Sequence, residues 1–168
     1  ELLAQTSSTP SIVSGGSACN TAFGVAKLGG SGRFVGKMGN DELGERFKQD
    51  LTNNSVDPVL FNSPTPTGRV LSVITPDAQR SMFTFLGAST EMDPKTITPQ
   101  LFADTAIAVI EGYLLFNPDL MMASVKAAKA AGALIALDLA SFEVVNASSN
   151  ILPDLIKTYV DILIANED

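Results

Sequence analysis

The chain has 168 residues, 45% hydrophobic and 17% charged, with a formal net charge of −7; this suits a soluble globular core and is the reverse of the apolar-poor, charge-rich composition of disordered segments. The negative charge argues against a nucleic-acid or anionic-membrane partner, although backbone N–H groups could still hold a phosphate. With no histidine and a single cysteine, Cys19, intrachain disulfides, His-based zinc sites and Ser-His-Asp triads drop out, and a reducing, cytoplasmic compartment is expected.

No apolar run reaches the roughly 18 residues of a membrane span, and no signal peptide is visible. The chain opens on Glu1-Leu2-Leu3-Ala4 and stops at Asn166-Glu167-Asp168 directly after an apolar run, which leads to the expectation of a piece of a longer protein. Residues 7–15 are rich in Ser, Pro and Gly and read as a loop. A helix is predicted over 17–28, with Ala18, Ala22, Val25 and Ala26 at helical spacing and Gly29-Gly30 ending it. Residues 33–36 form a short strand candidate. Asn40 or Asp41 can cap a second helix that puts Leu43, Phe47 and Leu51 on one face.

Residues 68–75 and 80–86 read as a hairpin around the turn Pro76-Asp77-Ala78-Gln79. Beyond about residue 97 the pattern becomes alternating strand and helix. Short apolar runs at 106–110, 133–137 and 160–165 predict strands buried on both faces. A helix opened by Asn117-Pro118 and closed by Gly132 separates the first two, and a helical stretch including 152–158 separates the others. Strand-helix alternation implies right-handed crossovers and a parallel sheet, whose ligands bind beyond the carboxyl ends of the strands.

Polar residues stand at those ends: Glu111, Asp138, and Asn166 with Glu167. Carboxylates and amides delivered to one edge would suit a polyol or a magnesium-bound phosphate. Polarity resuming at the end of a buried strand is an equally plain account of each.

Gly15-Gly16-Ser17-Ala18-Cys19-Asn20 is the most specific local feature. Two glycines let a ligand approach the backbone, and the helix that follows offers free N–H groups and the positive end of its dipole. The Asn20 amide can both donate and accept, which suits vicinal hydroxyls; a flexible helix entry with a surface Asn is the plainer alternative. Gly32-Arg33-Phe34-Val35-Gly36-Lys37-Met38 is not a P-loop, because only three residues part its glycines and Met38 stands where Ser or Thr would meet magnesium. Gly30-Ser31-Gly32 fails the dinucleotide fingerprint, with Val35 at the sixth position.

The spacing of Gly15, Gly16, Asn20, Ala22, Gly29 and Gly39 resembles the first signature of the PfkB family of carbohydrate kinases. Gly36-Lys37-Met38-Gly39-Asn40-Asp41-Glu42-Leu43-Gly44 is similar to the family's G-K-x-G-x-D-x-x-G segment. Thr67-Gly68, Leu86-Gly87-Ala88-Ser89, and Asn166 as the start of an N-x-x-E motif also follow the pattern.

The resemblance implies a ribokinase-like α/β three-layer sandwich with a mainly parallel sheet and a small β lid, of which this is the N-terminal half. It implies ATP and Mg2+ as cofactors, a sugar or nucleoside as substrate, and a lid at or near 68–86 through which two copies could form a homodimer. It assigns Gly15, Gly16, Ser17 and Asn20 to the acceptor's hydroxyls, with Lys37 and Glu111 as further acceptor contacts, and Asn166 with Glu167 to the surroundings of magnesium and phosphate.

The family's first lid strands, its acceptor-binding Asp and its catalytic Gly-Ala-Gly-Asp do not occur here, so the resemblance leaves the catalytic base unnamed. The segments 73–80, 85–89 and 110–114 look most like the bacterial adenosine-kinase-like branch. Phe83, Phe85 and Tyr113 could pack on an adenine ring, or serve as lid or sheet core. A ribokinase- or fructokinase-type sugar kinase, and a non-catalytic family remnant acting as a binding module, are the alternatives.

Overall fold

A computed structural model describes residues 9–166; Glu167 and the apolar piece at 1–4 lie outside the described residues. The first unit runs α1 (Ser17–Lys27), β1 (Gly32–Gly39), α2 (Glu42–Asn53) and β2 (Val56–Ser63). β1 and β2 pair in parallel, from Gly32 opposite Val56 to Gly39 opposite Ser63. Cys19, Ala22, Leu51 and Val56 form a small core between α1, α2 and these strands, with Phe47 edge-on to Phe34 at 5.4 Å. The buried face of α1 is therefore Cys19–Ala22, while Val25 of the predicted stripe is 41% exposed.

β2 is the element that the sequence pattern hid. Asn53-Asn54-Ser55 and Asp57-Pro58 read as breakers, yet Val56 is buried and Pro58 sits opposite Phe34. Among the described residues β2 pairs on one side alone, the edge setting where a proline is tolerated. Pairing with β2 also carries β1 three residues beyond the predicted 33–36, as far as Gly39.

The predicted hairpin is present as β3 (Arg69–Ile74) and β4 (Arg80–Phe85), antiparallel, with Arg69 opposite Phe85 and Ile74 opposite Arg80. Its turn closes through Ala78 N donating to Thr75 O at 2.8 Å. Both faces of β4 are solvent-exposed.

Three short 3-10 turns lead to the second unit: β5 (Ile107–Glu111), α3 (Pro118–Ala130), β6 (Leu134–Asp138), α4 (Phe142–Ala147), α5 (Leu152–Tyr159) and β7 (Ile162–Ile164). The strands form one parallel sheet in the order β5-β6-β7, as the alternating pattern predicts. α4 and the brevity of β7 were not legible in that pattern.

The Asn117 side chain caps α3 by accepting from Leu120 N at 3.2 Å. Ala108, Ile110, Ile135 and Leu137 face a core completed by Met121, Val125, Val144, Leu152 and Leu155. On the opposite face Ile107, Val109, Leu134, Ile162 and Ile164 are between 40% and 48% exposed, and Leu163, level with Leu137 on the core side, is 47% exposed; β5 and β6 thus bury one face and β7 neither, where burial on both faces is predicted from the apolar runs. No helix among the described residues is long and apolar enough to cross a membrane.

Candidate functional site

Gly16 is the residue that makes the entry to α1 possible. It takes φ 100° and ψ 144°, a left-handed-side backbone that suits glycine, and caps α1 without any side-chain hydrogen bond. The first helical bond runs from Asn20 N to Gly16 O at 2.9 Å. The N–H groups of the first turn therefore face outward at the positive end of the dipole.

A Cβ built on Gly15 or Gly16 would meet nothing within 4 Å, so the space over the loop is open. Ser17 and Asn20 are exposed, and the Asn20 amide makes no side-chain hydrogen bond among the described residues. Cys19, beneath them, is buried; desolvation, reinforced by the nearby Asp50 carboxylate, pushes its thiol up to about 11. A neutral buried thiol is no nucleophile at physiological pH.

The end of β1 carries a second group of polar residues. Lys37 Nζ donates to the Glu91 carbonyl at 2.8 Å. The Glu91 carboxylate accepts from Ser63 Oγ and Thr65 Oγ1, bonds that hold it below the usual range with the Lys37 charge adding to the effect. Lys37 therefore ties β1 to the segment after the hairpin, an arrangement that spacing alone could not foretell.

Asp41 is more tightly engaged. It caps α2 by accepting from Gly44 N at 2.9 Å, and accepts from Thr67 N at 2.8 Å and Thr67 Oγ1 at 2.5 Å. These bonds, the Thr67 hydroxyl first, lower its carboxyl below the usual range. Gly39 N in turn donates to Thr67 Oγ1 at 2.9 Å. A Cβ on Gly39 would lie 2.5 Å from Thr67 N, and one on Gly44 would lie 2.4 Å from Gly39 O. Residues 39–44 are thus a clasp around residues 65–67, in which Gly39 and Gly44 leave no room for a Cβ.

At the carboxyl ends of the second sheet, Glu111 and Asp138 are register partners, and Asp138 is opposite Ile164. Asp138 Oδ1 accepts from Ala140 N at 3.0 Å, fixing the chain as it leaves β6. Asn166 follows β7 by two residues.

α1 packs against both β1 and β5, which brings the two halves of the site together. Gly15, Gly16, Ser17, Lys37, Glu111 and Tyr113 line one broad open concavity. Asn20, Asp138 and Asn166 do not line it. Among the described residues no group of three or more Asp, Glu, Cys or His side chains could enclose a metal ion.

Parallel strands with helical crossovers, an antiparallel hairpin and a glycine loop at a helix start define an α/β chain of ribokinase-like architecture. A family model described as pfkB family carbohydrate kinase matches residues 3–168, and the chain belongs to that family.

It is 34% identical to adenosine kinase from Sinorhizobium meliloti, with a TM-score of 0.79 over 92% of this chain and 50% of that one. A probable sugar kinase from Rhizobium etli CFN 42 gives 32% identity and a TM-score of 0.79 over 89% of this chain and 47% of that one. Fructokinase-1 of Zea mays is 30% identical over 131 residues, 74% of this chain and 41% of the relative. The chain thus spans half or less of the length of these relatives.

Proposed function

We propose that the complete protein carrying this chain transfers the γ-phosphoryl group of ATP to a hydroxyl of a small nucleoside or sugar, and that this part holds the acceptor. The observation that carries the reading is the N-terminus of α1, which begins at Gly15-Gly16 without a side-chain cap bond and opens on a concavity shared with Ser17, Lys37 and Glu111. Outward N–H groups, a hydroxyl, an ammonium and a carboxylate form a mixed donor and acceptor set, which is what a polyol needs.

Lys37 in this role would keep its bond to the Glu91 carbonyl and present its remaining N–H donors. Asn20, exposed one turn further along α1 and outside the lining of that concavity, would have to turn its amide toward the loop to reach the acceptor's hydroxyls. Asn166 and Glu167 are assigned to the surroundings of Mg2+ and phosphate. Mg2+ bound with ATP takes most of its ligands from phosphates and water and needs one or two protein oxygens, a demand that oxygen donors at strand ends fit. When bound, the metal would neutralise charge on the migrating phosphoryl group.

The catalytic base is assigned to polypeptide beyond these residues. Asp41, the carboxylate of the glycine-rich segment, already accepts three hydrogen bonds and is held ionised by them, which suits a cap rather than a proton acceptor.

Adenosine is the preferred acceptor. Phe83 and Tyr113 are 52% and 55% exposed and offer ring faces for a base, whereas Phe85 already carries Arg69 over its ring at 5.0 Å. The Zea mays relative favours fructose as the second reading, with ribose beside it. The exposed hairpin 69–85 would serve as lid and dimer contact, and the compartment would be cytoplasmic.

An ADP-release assay on the complete protein with ATP, Mg2+ and, separately, adenosine, inosine, ribose and fructose tests this. Turnover with adenosine is expected; turnover with fructose or ribose alone would move the assignment to a sugar kinase, and none with any acceptor would reject the kinase reading.

A further inference from the structure

The glycine loop has little of its own to hold it. Residues 9–15 form no helix or strand, and Ile12 and Val13 are exposed. Two side chains of α2 reach them. Arg46 Nη2 donates to Ile12 O at 2.7 Å, and Ser14 Oγ donates to Asp50 Oδ2 at 2.6 Å. Arg46 and Asp50 stand four residues apart, the spacing at which opposite charges on a helix ordinarily pair with each other. Here they form no ion pair together; the ion pairs among the described residues are Arg33–Asp57 and Lys129–Asp161.

Both charged groups are instead spent on the three residues before Gly15. Asp50 also lies close enough to Cys19 in α1 for its charge to bear on that thiol. It therefore sits where loop, α1 and α2 meet, next to the fully buried Leu51.

We infer that Arg46 and Asp50 are positioning residues for the acceptor site: they clamp residues 12–14 to α2 and thereby fix the backbone of Gly15-Gly16 where the acceptor's hydroxyls bind. The inference rests on the proposed acceptor role of the glycine loop and adds to it the source of that loop's order. A loop held in its bound geometry binds without a further ordering cost, and releasing it taxes acceptor affinity. Because the loop contacts acceptor in ground and transition states alike, its release weakens binding more than turnover.

The test uses the complete protein and the variants Asp50→Ala, Arg46→Ala, Ser14→Ala and Asp50→Asn. Ser14→Ala alters the loop alone and guards against loss of fold in the helix variants. Asp50→Ala and Ser14→Ala are expected to raise acceptor KM about tenfold, with kcat within about twofold and ATP KM unchanged. Asp50→Asn keeps an acceptor for the Ser14 hydroxyl and should recover most of the wild-type KM.

Amide hydrogen exchange across residues 12–17 should quicken in the alanine variants, with helices α3 and α5 unaffected. Unchanged acceptor KM and unchanged exchange in both Asp50→Ala and Ser14→Ala overturn the inference. Quickened exchange with acceptor KM unchanged leaves the clamp in place but refutes its role in acceptor binding. A wild-type protein that phosphorylates no acceptor overturns the proposed function and the acceptor role with it, and the exchange data then decide separately whether the clamp exists.

Discussion

Replacing Asp41 by Ala removes three hydrogen bonds at once, from Gly44 N, Thr67 N and Thr67 Oγ1. Loss of an Asp N-cap costs about 1 kcal/mol. The two Thr67 donors lose a charged partner, worth about 1.5–3 kcal/mol for a bond to an ionised group. Asp41 is half-buried, so water replaces part of what is lost and the lower end applies. The expected total is about 4 kcal/mol, or a fall in Tm of about 6 °C for a protein as long as the relatives of which this chain covers about half.

The pH dependence has a definite sign. The folded-state carboxyl lies below its ordinary value, so its contribution is present above the unfolded pKa and disappears as pH falls through the folded one. The Tm gap between wild type and Asp41→Ala should therefore be full at pH 7 and shrink below about pH 4. Thermal unfolding of the complete protein from pH 3 to 7 measures it. Below its Tm the variant should keep kcat within a few-fold. A Tm unchanged at pH 7, or a kcat lowered by about a thousandfold in a folded variant, would refute the assignment of Asp41 to the clasp rather than to chemistry.

Asn20→Ala should weaken acceptor binding by about 1–3 kcal/mol, because a ligand hydroxyl is left unpaired, while Tm hardly moves; titration calorimetry and a melting curve check both halves. Gly39→Ala drives a Cβ to within 2.6 Å of both Thr67 N and Thr65 O and should cost about 3 kcal/mol or more, read as a lowered denaturation midpoint. Residues 1–168 expressed alone should self-associate through the sheet face of Ile107, Val109, Leu134, Ile162 and Ile164 and release no ADP with adenosine; a monodisperse, active fragment in light scattering and the coupled assay would contradict this.

The second unit was the more legible half. The uninterrupted apolar runs at 106–110 and 133–137 fall on β5 and β6, one residue ahead of the strands themselves, and Asn117-Pro118 carries its helix start in the residues themselves. β2 was hidden because Asp57, Pro58 and Asn62 break the usual composition of a strand, and only the pairing with β1 accounts for them. The open helix entry at Gly15-Gly16 was readable because it depends on local backbone freedom. The partners of Lys37, Asp41, Arg46 and Asp50 were not, since Glu91, Thr67, Ile12 and Ser14 are distant in the chain and come near only through tertiary packing. An Arg and an Asp four apart on a helix read as an ordinary solvated pair, and nothing local says that they hold a loop.

In the proposed site acceptor hydroxyls bind at the N-terminus of α1. A crystal structure of the complete protein with its acceptor tests it most directly. Ring hydroxyls are expected within hydrogen-bond distance of the backbone N–H groups at Gly16 and Ser17 and of the Asn20 amide, with Glu111 on the same ligand. An acceptor bound elsewhere, with the Gly15-Gly16 loop and Asn20 facing solvent, would contradict it.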